Sequence, residues 1–276
     1  MPKLPLIPLS KEDGASFQRR LSYCLEAKNH LQTFFPGQLQ DITDDASGKM
    51  ALQQLAERYC LSPSWVPLVF SNAQLPLWCG GAAWIIQMDE NSPVTALLQL
   101  RTRLKQKTKL LFYKKEEIVA HELFHASRSA FDEPKFEEIL AYRLSSNRCR
   151  AYFGPLFQSP KETLFLVIYL LLLCAAATYT AIFLSPIAYA VMGYLQLGLI
   201  LFLAILISRL AIRQKQLNRA LANMPPHELP AEAIAARLTD REIIAFSMMN
   251  SAAIADYLKA AEELRFVMDG ANDMEK

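Results

Sequence analysis

From Thr163 to Ser208 the chain carries no charged residue, and this run limits its possible folds more than any other feature of the 276 residues. A soluble core element cannot use so long an apolar stretch, so it reads as membrane. It is too long for one span, and Ser185-Pro186 sits near its middle. The pattern predicts two helices, about 163–184 and 187–208, joined by a tight turn at Leu184-Ser185-Pro186. Each would be about 33 Å long, enough to cross a hydrocarbon layer of roughly 30 Å. Arg143, Arg148, Arg150 and Lys161 precede the first span, Arg209, Arg213, Lys215 and Arg219 follow the second, and the turn has no basic residue. The positive-inside rule then places both flanks in the cytoplasm, as in an integral protein of a bacterial inner membrane or its equivalent. Tyr179, Phe183, Tyr189 and Tyr194 would form an aromatic belt at the outer end, and Cys174, Ala175, Ala176, Ala177 and Ala181 would let the helices approach closely. Gln196 is expected to bond across the hairpin.

The chemistry sits before this hairpin. His121-Glu122-Leu123-Phe124-His125 is an H-E-x-x-H pattern in a run that reads as helix. Positions i and i+4 share a helical face, so His121 and His125 can offer two imidazole nitrogens to one metal ion. Glu122 projects beside them, where a carboxylate can take a proton from a metal-bound water. With four histidines in the chain, a chance match arises roughly once in 300 such sequences. Ile118, Val119, Ala120, Leu123, Phe124 and Ala126 make the segment apolar enough for a central helix. Two histidines and a glutamate buried there need partners, either a metal ion or one another.

Catalytic zinc takes three protein ligands and keeps one position open. After His125 comes a short connection, in which Asp132 is suited to cap a new helix and Pro134 to its first turn. That helix carries Glu137 and Glu138. Over roughly residues 90–150 the sequence resembles the gluzincins, zinc peptidases whose third ligand is a glutamate on the helix after H-E-x-x-H. Several membrane-associated members carry it in an E-x-x-A-D pattern, which Glu138-Ile139-Leu140-Ala141-Tyr142 matches except at its last position. The resemblance implies Zn²⁺ bound by His121, His125 and a glutamate of that helix, Glu138 in preference to Glu137; if not the ligand, Glu137 reads as a solvated helix position. It also implies Glu122 as general base and a peptide or protein as substrate. Where the pattern has an aspartate that orients a histidine, this chain has Tyr142. A phenol there could accept the same hydrogen bond, stabilise an oxyanion, or simply pack.

The remaining elements are coarser. Residues 10–35 read as a helix capped by Ser10, with Phe17, Leu21, Cys24 and Leu25 inward and Gln18, Arg19 and Arg20 wet. A loop over 36–47 leads to a helix over 49–59. Apolar stretches at 65–70, 77–86 and 94–100 predict a small sheet, with Thr95 to Arg101 as either a substrate-binding edge strand or an interior strand. Gly80-Gly81 suggests a bulge or a close backbone approach. Beyond the hairpin a basic helix continues to about residue 222, Met224-Pro225-Pro226 breaks it, and Thr239-Asp240-Arg241-Glu242 forms a capping box. A last helix covers about 251–268, and His30 and His227 read as surface histidines.

Five cysteines, odd in number and without C-x-x-C, predict free thiols rather than a disulfide framework or a thiolate metal site. A short, proline-rich start does not read as a signal peptide, in keeping with a cytoplasmic N-terminal region. The net charge of +2 is explained by membrane flanks, so nucleic acid is not an expected partner; the lipid bilayer is, and a homo-oligomer remains open.

The expected fold is α+β. A helical region (1–60) precedes a zincin-like catalytic core (61–158), a transmembrane hairpin (163–208) and a cytoplasmic helical tail (209–276). The expected activity is that of a membrane-anchored zinc metallopeptidase, an endopeptidase in preference to an exopeptidase, acting on membrane-proximal protein. The alternatives are a non-catalytic zinc-binding scaffold or sensor, and a membrane adaptor with an incidental H-E-x-x-H.

Overall fold

The computed structural model describes residues 3–35, 37–76, 79–110, 112–131, 133–183, 185–261 and 265–266. Asp132, Leu77, Trp78, Leu184 and most of the expected last helix beyond Ala261 therefore lie outside the described residues. The chain is α+β: helices dominate, with small sheets between them.

Helices α1 (Gly14–Leu25) and α2 (Ala27–Leu31) replace the single helix expected over 10–35, and Asp13 rather than Ser10 caps the first by accepting the Ser16 N–H. Arg20 is not wet. The N-terminal segment folds over it, so that its guanidinium donates to the Ile7 carbonyl and pairs with Glu12 at 2.6 Å, while Leu25 is 58% exposed. The expected loop contains strand β1 (Gln40–Asp41), after which Asp45 caps α3 (Ala46–Tyr59) by accepting the Gly48 N–H.

Three strands follow, β2 (Pro67–Phe70), β3 (Gly81–Ile86) and β4 (Thr95–Leu100). Their sheet runs β1-β2-β4-β3, with β2 and β4 parallel and β3 antiparallel to β4. β4 is therefore interior, and β3 is the edge. All six residues of β4 are buried, as a near-continuous apolar run demands. Gln99 is tolerated there because its amide is satisfied by the Trp84 indole N–H and by the Ser71 and Ala73 carbonyls.

A two-stranded hairpin, β5 (Lys109–Leu110) and β6 (Tyr113–Lys114), leads directly into α4 (Lys115–Ser127). Glu116 and Glu117 in its first turn suit the positive end of the helix dipole. Val119, Ala120, Leu123 and Phe124 are fully buried, which fixes α4 against α3, the sheet and α5 (Pro134–Tyr142). α6 (Arg148–Phe153) then leads through a 3-10 turn at Gly154–Leu156 to α7 (Pro160–Phe183) and α8 (Pro186–Asn223). Both α7 and α8 are long and apolar enough to cross a membrane, and few of their apolar residues are buried.

The segment after the hairpin is packed into the core. On α8, Leu210, Gln214, Leu217 and Ala220 share one buried face. α9 (Ala231–Arg237) has Ala233 to Arg237 wholly buried, and Glu232 pairs with Arg58 of α3 at 2.8 Å. The expected capping box opens α10 (Asp240–Phe246), and α11 (Ser251–Ala261) follows. Asp240 also accepts the N–H groups of Lys135 and Phe136 at 2.9 and 3.2 Å. A residue from beyond the hairpin thus satisfies the orphan donors that open α5.

Candidate metal centre

One turn of α4 separates His121 from His125, and their Nε2 atoms lie 3.2 Å apart. α5 returns across them because the connection is short and Phe136, Ile139 and Leu140 bury its other face. It delivers Glu138, whose carboxylate oxygens stand 3.5 Å from His121 Nε2 and 3.4 Å from His125 Nε2. Tetrahedral ligands at 2.0–2.1 Å from zinc are separated by about 3.3 Å. The Nε2–Nε2 separation is close to that edge length, and each histidine faces a different oxygen of Glu138 at a similar distance. His121, His125 and Glu138 could hold a metal ion, as their donor chemistry allows.

Glu137 is a correction to the sequence reading. It does not face solvent. One of its oxygens lies 2.5 Å from His125 Nδ1, and the other lies 3.7 Å from Arg128 Nε. A carboxylate on Nδ1 fixes the ring's orientation and leaves the Nε2 lone pair for a metal. Arg128 is itself buried, and its guanidinium donates to the Ala236 and Leu238 carbonyls at the end of α9. The relay from α9 through Arg128 and Glu137 to His125 was not visible in the sequence, since its α9 end lies 108 residues beyond Arg128.

Burial disfavours the charged imidazole at both histidines. At His121 burial wins and the pKa is lowered; at His125 the Glu137 and Glu138 carboxylates overcome it and raise the pKa well above the usual value. Burial likewise opposes ionisation of Glu138, but His125 and His121 bring its carboxyl down to about 2. Metal ligation requires both imidazoles neutral, and the carboxylates of Glu122, Glu137 and Glu138 would then outnumber the Arg128 guanidinium that faces Glu137. A divalent ion would balance that surplus.

Glu122 stands apart from the ligand set. Its Oε2 accepts the Ala83 N–H of β3 at 2.8 Å, so it lies between the centre and the sheet edge. Alternate residues of an antiparallel strand turn their backbone groups outward, and the Ala83 bond shows that Gly81, Ala83 and Ile85 do so here. Two clefts flank the centre along this edge, and both include His121 and Glu122. One, of about 390 Å³, is lined by Gly81, Leu110, Tyr113, Ile118 and Tyr142; the other, of about 330 Å³, by Ala83, Ile85, Arg128 and Phe131. The sheet edge beside the centre is β3, and Thr95–Leu100 is the interior strand, the second of the two readings of that stretch. Gly80 and Gly81 permit close packing: a Cβ on Gly80 would lie 2.8 Å from Ile118 Cδ1, and one on Gly81 2.7 Å from Leu100 Cδ2.

The Tyr142 ring meets His121 edge-on, with centroids 4.6 Å apart. Among the described residues its hydroxyl makes no hydrogen bond to either histidine. Burial and the nearby Glu138 raise its pKa, so it stays protonated and able to donate. Gly154 makes room for it, because a Cβ there would lie 2.2 Å from the Tyr142 ring.

No protein-family model, curated protein or solved structure matches the chain.

Substitutions should separate the two glutamates of α5. Glu138→Ala removes a ligand and is expected to abolish stoichiometric metal. Glu137→Ala keeps the ligands and is expected to weaken metal affinity roughly 10–100-fold. Competition with a chromogenic chelator reads both, and equal losses would mean that the two carboxylates share one role.

Proposed function

We propose that the protein is a zinc metallopeptidase of gluzincin type, anchored in a membrane by α7 and α8 with its site on the cytoplasmic side. The observation that carries this reading is the arrival of the Glu138 carboxylate beside both histidine Nε2 atoms, with Glu122 held between them and the β3 edge, which pairs with no further strand among the described residues. A zinc ion there would supply Lewis acidity and lower the pKa of a water molecule. The residues then divide the work. His121, His125 and Glu138 hold the ion, and Glu137 and Arg128 fix the orientation of His125. Glu122 accepts the proton of the attacking water and returns it to the leaving amine. The outward backbone of β3 holds a peptide extended with little regard to its sequence. Tyr142, kept protonated, offers a donor in the same cleft as Glu122.

The basic flanks of α7 and α8 support a cytoplasmic site. Arg213, about 8 Å along α8 from Ser208, donates to the carbonyl of Lys135, three residues before Glu138. Such closeness to the apolar segment favours membrane proteins or membrane-proximal segments as substrates, as in quality control or processing.

The test uses the full chain purified in detergent. Expected are one zinc per chain and hydrolysis of a generic unfolded protein that a chelator stops and zinc restores. Zinc without hydrolysis would leave a binding scaffold, and no metal at all would leave an adaptor.

A further inference from the structure

Between Arg101 and Lys115 there are seven basic residues and no acidic one. Arg101 and Lys115 have structural partners: Arg101 donates to the Cys79 carbonyl, and buried Lys115 pairs with Asp45 at 2.5 Å. Arg103, Lys105, Lys107, Lys109 and Lys114 are exposed. Among the described residues the first four have no ion pair, and Lys114 has only Glu116 at 3.9 Å. Lys109 and Lys114 are also directly opposite each other across the β5–β6 ladder. Like charges so placed repel, and a dense anionic surface would relieve them. Phe112 at the tip is 86% exposed.

The hairpin has two faces, because side chains alternate along strands. Leu110 and Tyr113 line the larger cleft of the metal centre, so Lys109 and Lys114 point the other way. Its tip is tied towards the apolar helices. Arg150 of α6 donates to the Phe112 carbonyl at 2.7 Å and lies 4.1 Å from the Tyr113 ring centroid. Two and three residues later, Tyr152 and Phe153 are exposed and packed on each other, 5.0 Å between centroids. The following turn reaches Arg209, which donates to the Leu156 carbonyl and pairs with Glu162 where α7 and α8 emerge. Exposed aromatic rings among unpaired lysines suit the headgroup layer of an anionic bilayer.

We propose that the basic hairpin around Phe112, with Tyr152 and Phe153 of α6, docks on anionic headgroups of the bilayer that α7 and α8 span. The inference rests on reading those helices as spans. The bilayer is preferred over a nucleic acid because the patch continues through α6 to the mouth of the apolar helices. Docking would place the hairpin between the headgroups and the Tyr113 cleft, because Lys109 and Lys114 face away from that cleft.

Hydrogen exchange on the full-length protein in nanodiscs tests this. One set contains phosphatidylcholine alone, and the other adds phosphatidylglycerol. Amides of 103–114 are expected to exchange at least tenfold more slowly in the anionic discs, and raised salt should remove most of that difference. The triple change Lys105→Glu, Lys107→Glu and Lys109→Glu, and separately Phe112→Ser, should abolish it while metal content is unchanged. Equal hairpin exchange in both lipids, with 165–182 protected in both, would overturn the docking and leave the spans intact. Fast exchange across 165–182 would overturn the membrane reading itself, and the docking with it.

Discussion

Glutamine in place of Glu122 is expected to leave zinc at full stoichiometry and to reduce peptide hydrolysis roughly 10²–10⁴-fold, the range of a lost general base. The change is isosteric. A glutamine oxygen can still accept the Ala83 N–H that now reaches Glu122 Oε2 at 2.8 Å, so the side chain keeps its place beside the strand. What it loses is the capacity to take a proton. The double change His121→Ala and His125→Ala should do the converse and empty the site, because both Nε2 donors of the ligand triangle disappear. Elemental analysis and a hydrolysis assay on the same preparations read both outcomes. A glutamine variant that lost its metal would make Glu122 a ligand, and full occupancy in the double histidine variant would sink the site.

The second large effect concerns the segment after the apolar hairpin. A fragment ending at residue 158 is expected to aggregate and bind no zinc. It would lack α9 and α10, so Arg128, 1% exposed in the intact chain, would lose the carbonyls of Ala236 and Leu238. α5 would lose its cap from Asp240. Removing the partner of a buried charge costs about 3–5 kcal/mol, against a total stability of about 5–15 kcal/mol for a typical domain. A chain in which a short glycine-serine turn replaces residues 164–207 should instead fold, because Glu162 and Arg209 already lie side by side. Circular dichroism and zinc content distinguish the two. A well-folded, zinc-loaded fragment of residues 1–158 would show that the later helices are dispensable.

The parts legible in the sequence were those with short range. His121 and His125 are four apart on one helix, Thr239 and Glu242 close a capping box within a turn, and the apolar run announces α7 and α8 by composition alone. The relay beyond His125 is different in kind. Glu137 looked solvated because a single helix cannot say that Arg128 will face it, or that Ala236 will hold Arg128. Asp240 caps α5 from 105 residues away. Arg20 failed for the same reason: helical spacing does not register that Ile7 will cover it. The order of the strands was partly recoverable. Thr95 to Leu100 carries leucine on both faces, Leu97 on one and Leu98 and Leu100 on the other, as suits an interior strand, whereas Gly81, Ala82 and Ala83 present little side chain and suit an edge beside a helix.

α8 runs unbroken for 38 residues, and its end beyond Ser208 is embedded among the helices that hold the metal centre. For a chain anchored as proposed, it is a lever with one arm in lipid. The other arm, from Arg209 to Asn223, is about 22 Å long. A change in tilt of about 5°, of the kind by which a helix matches a thinner or thicker bilayer, swings its end by about 2 Å. Asn223 grips the carbonyls of Phe246 and Met249, and Asp240, at the other end of α10, grips the start of α5. In a chain so anchored, membrane thickness would become a mechanical input to the placing of Glu138.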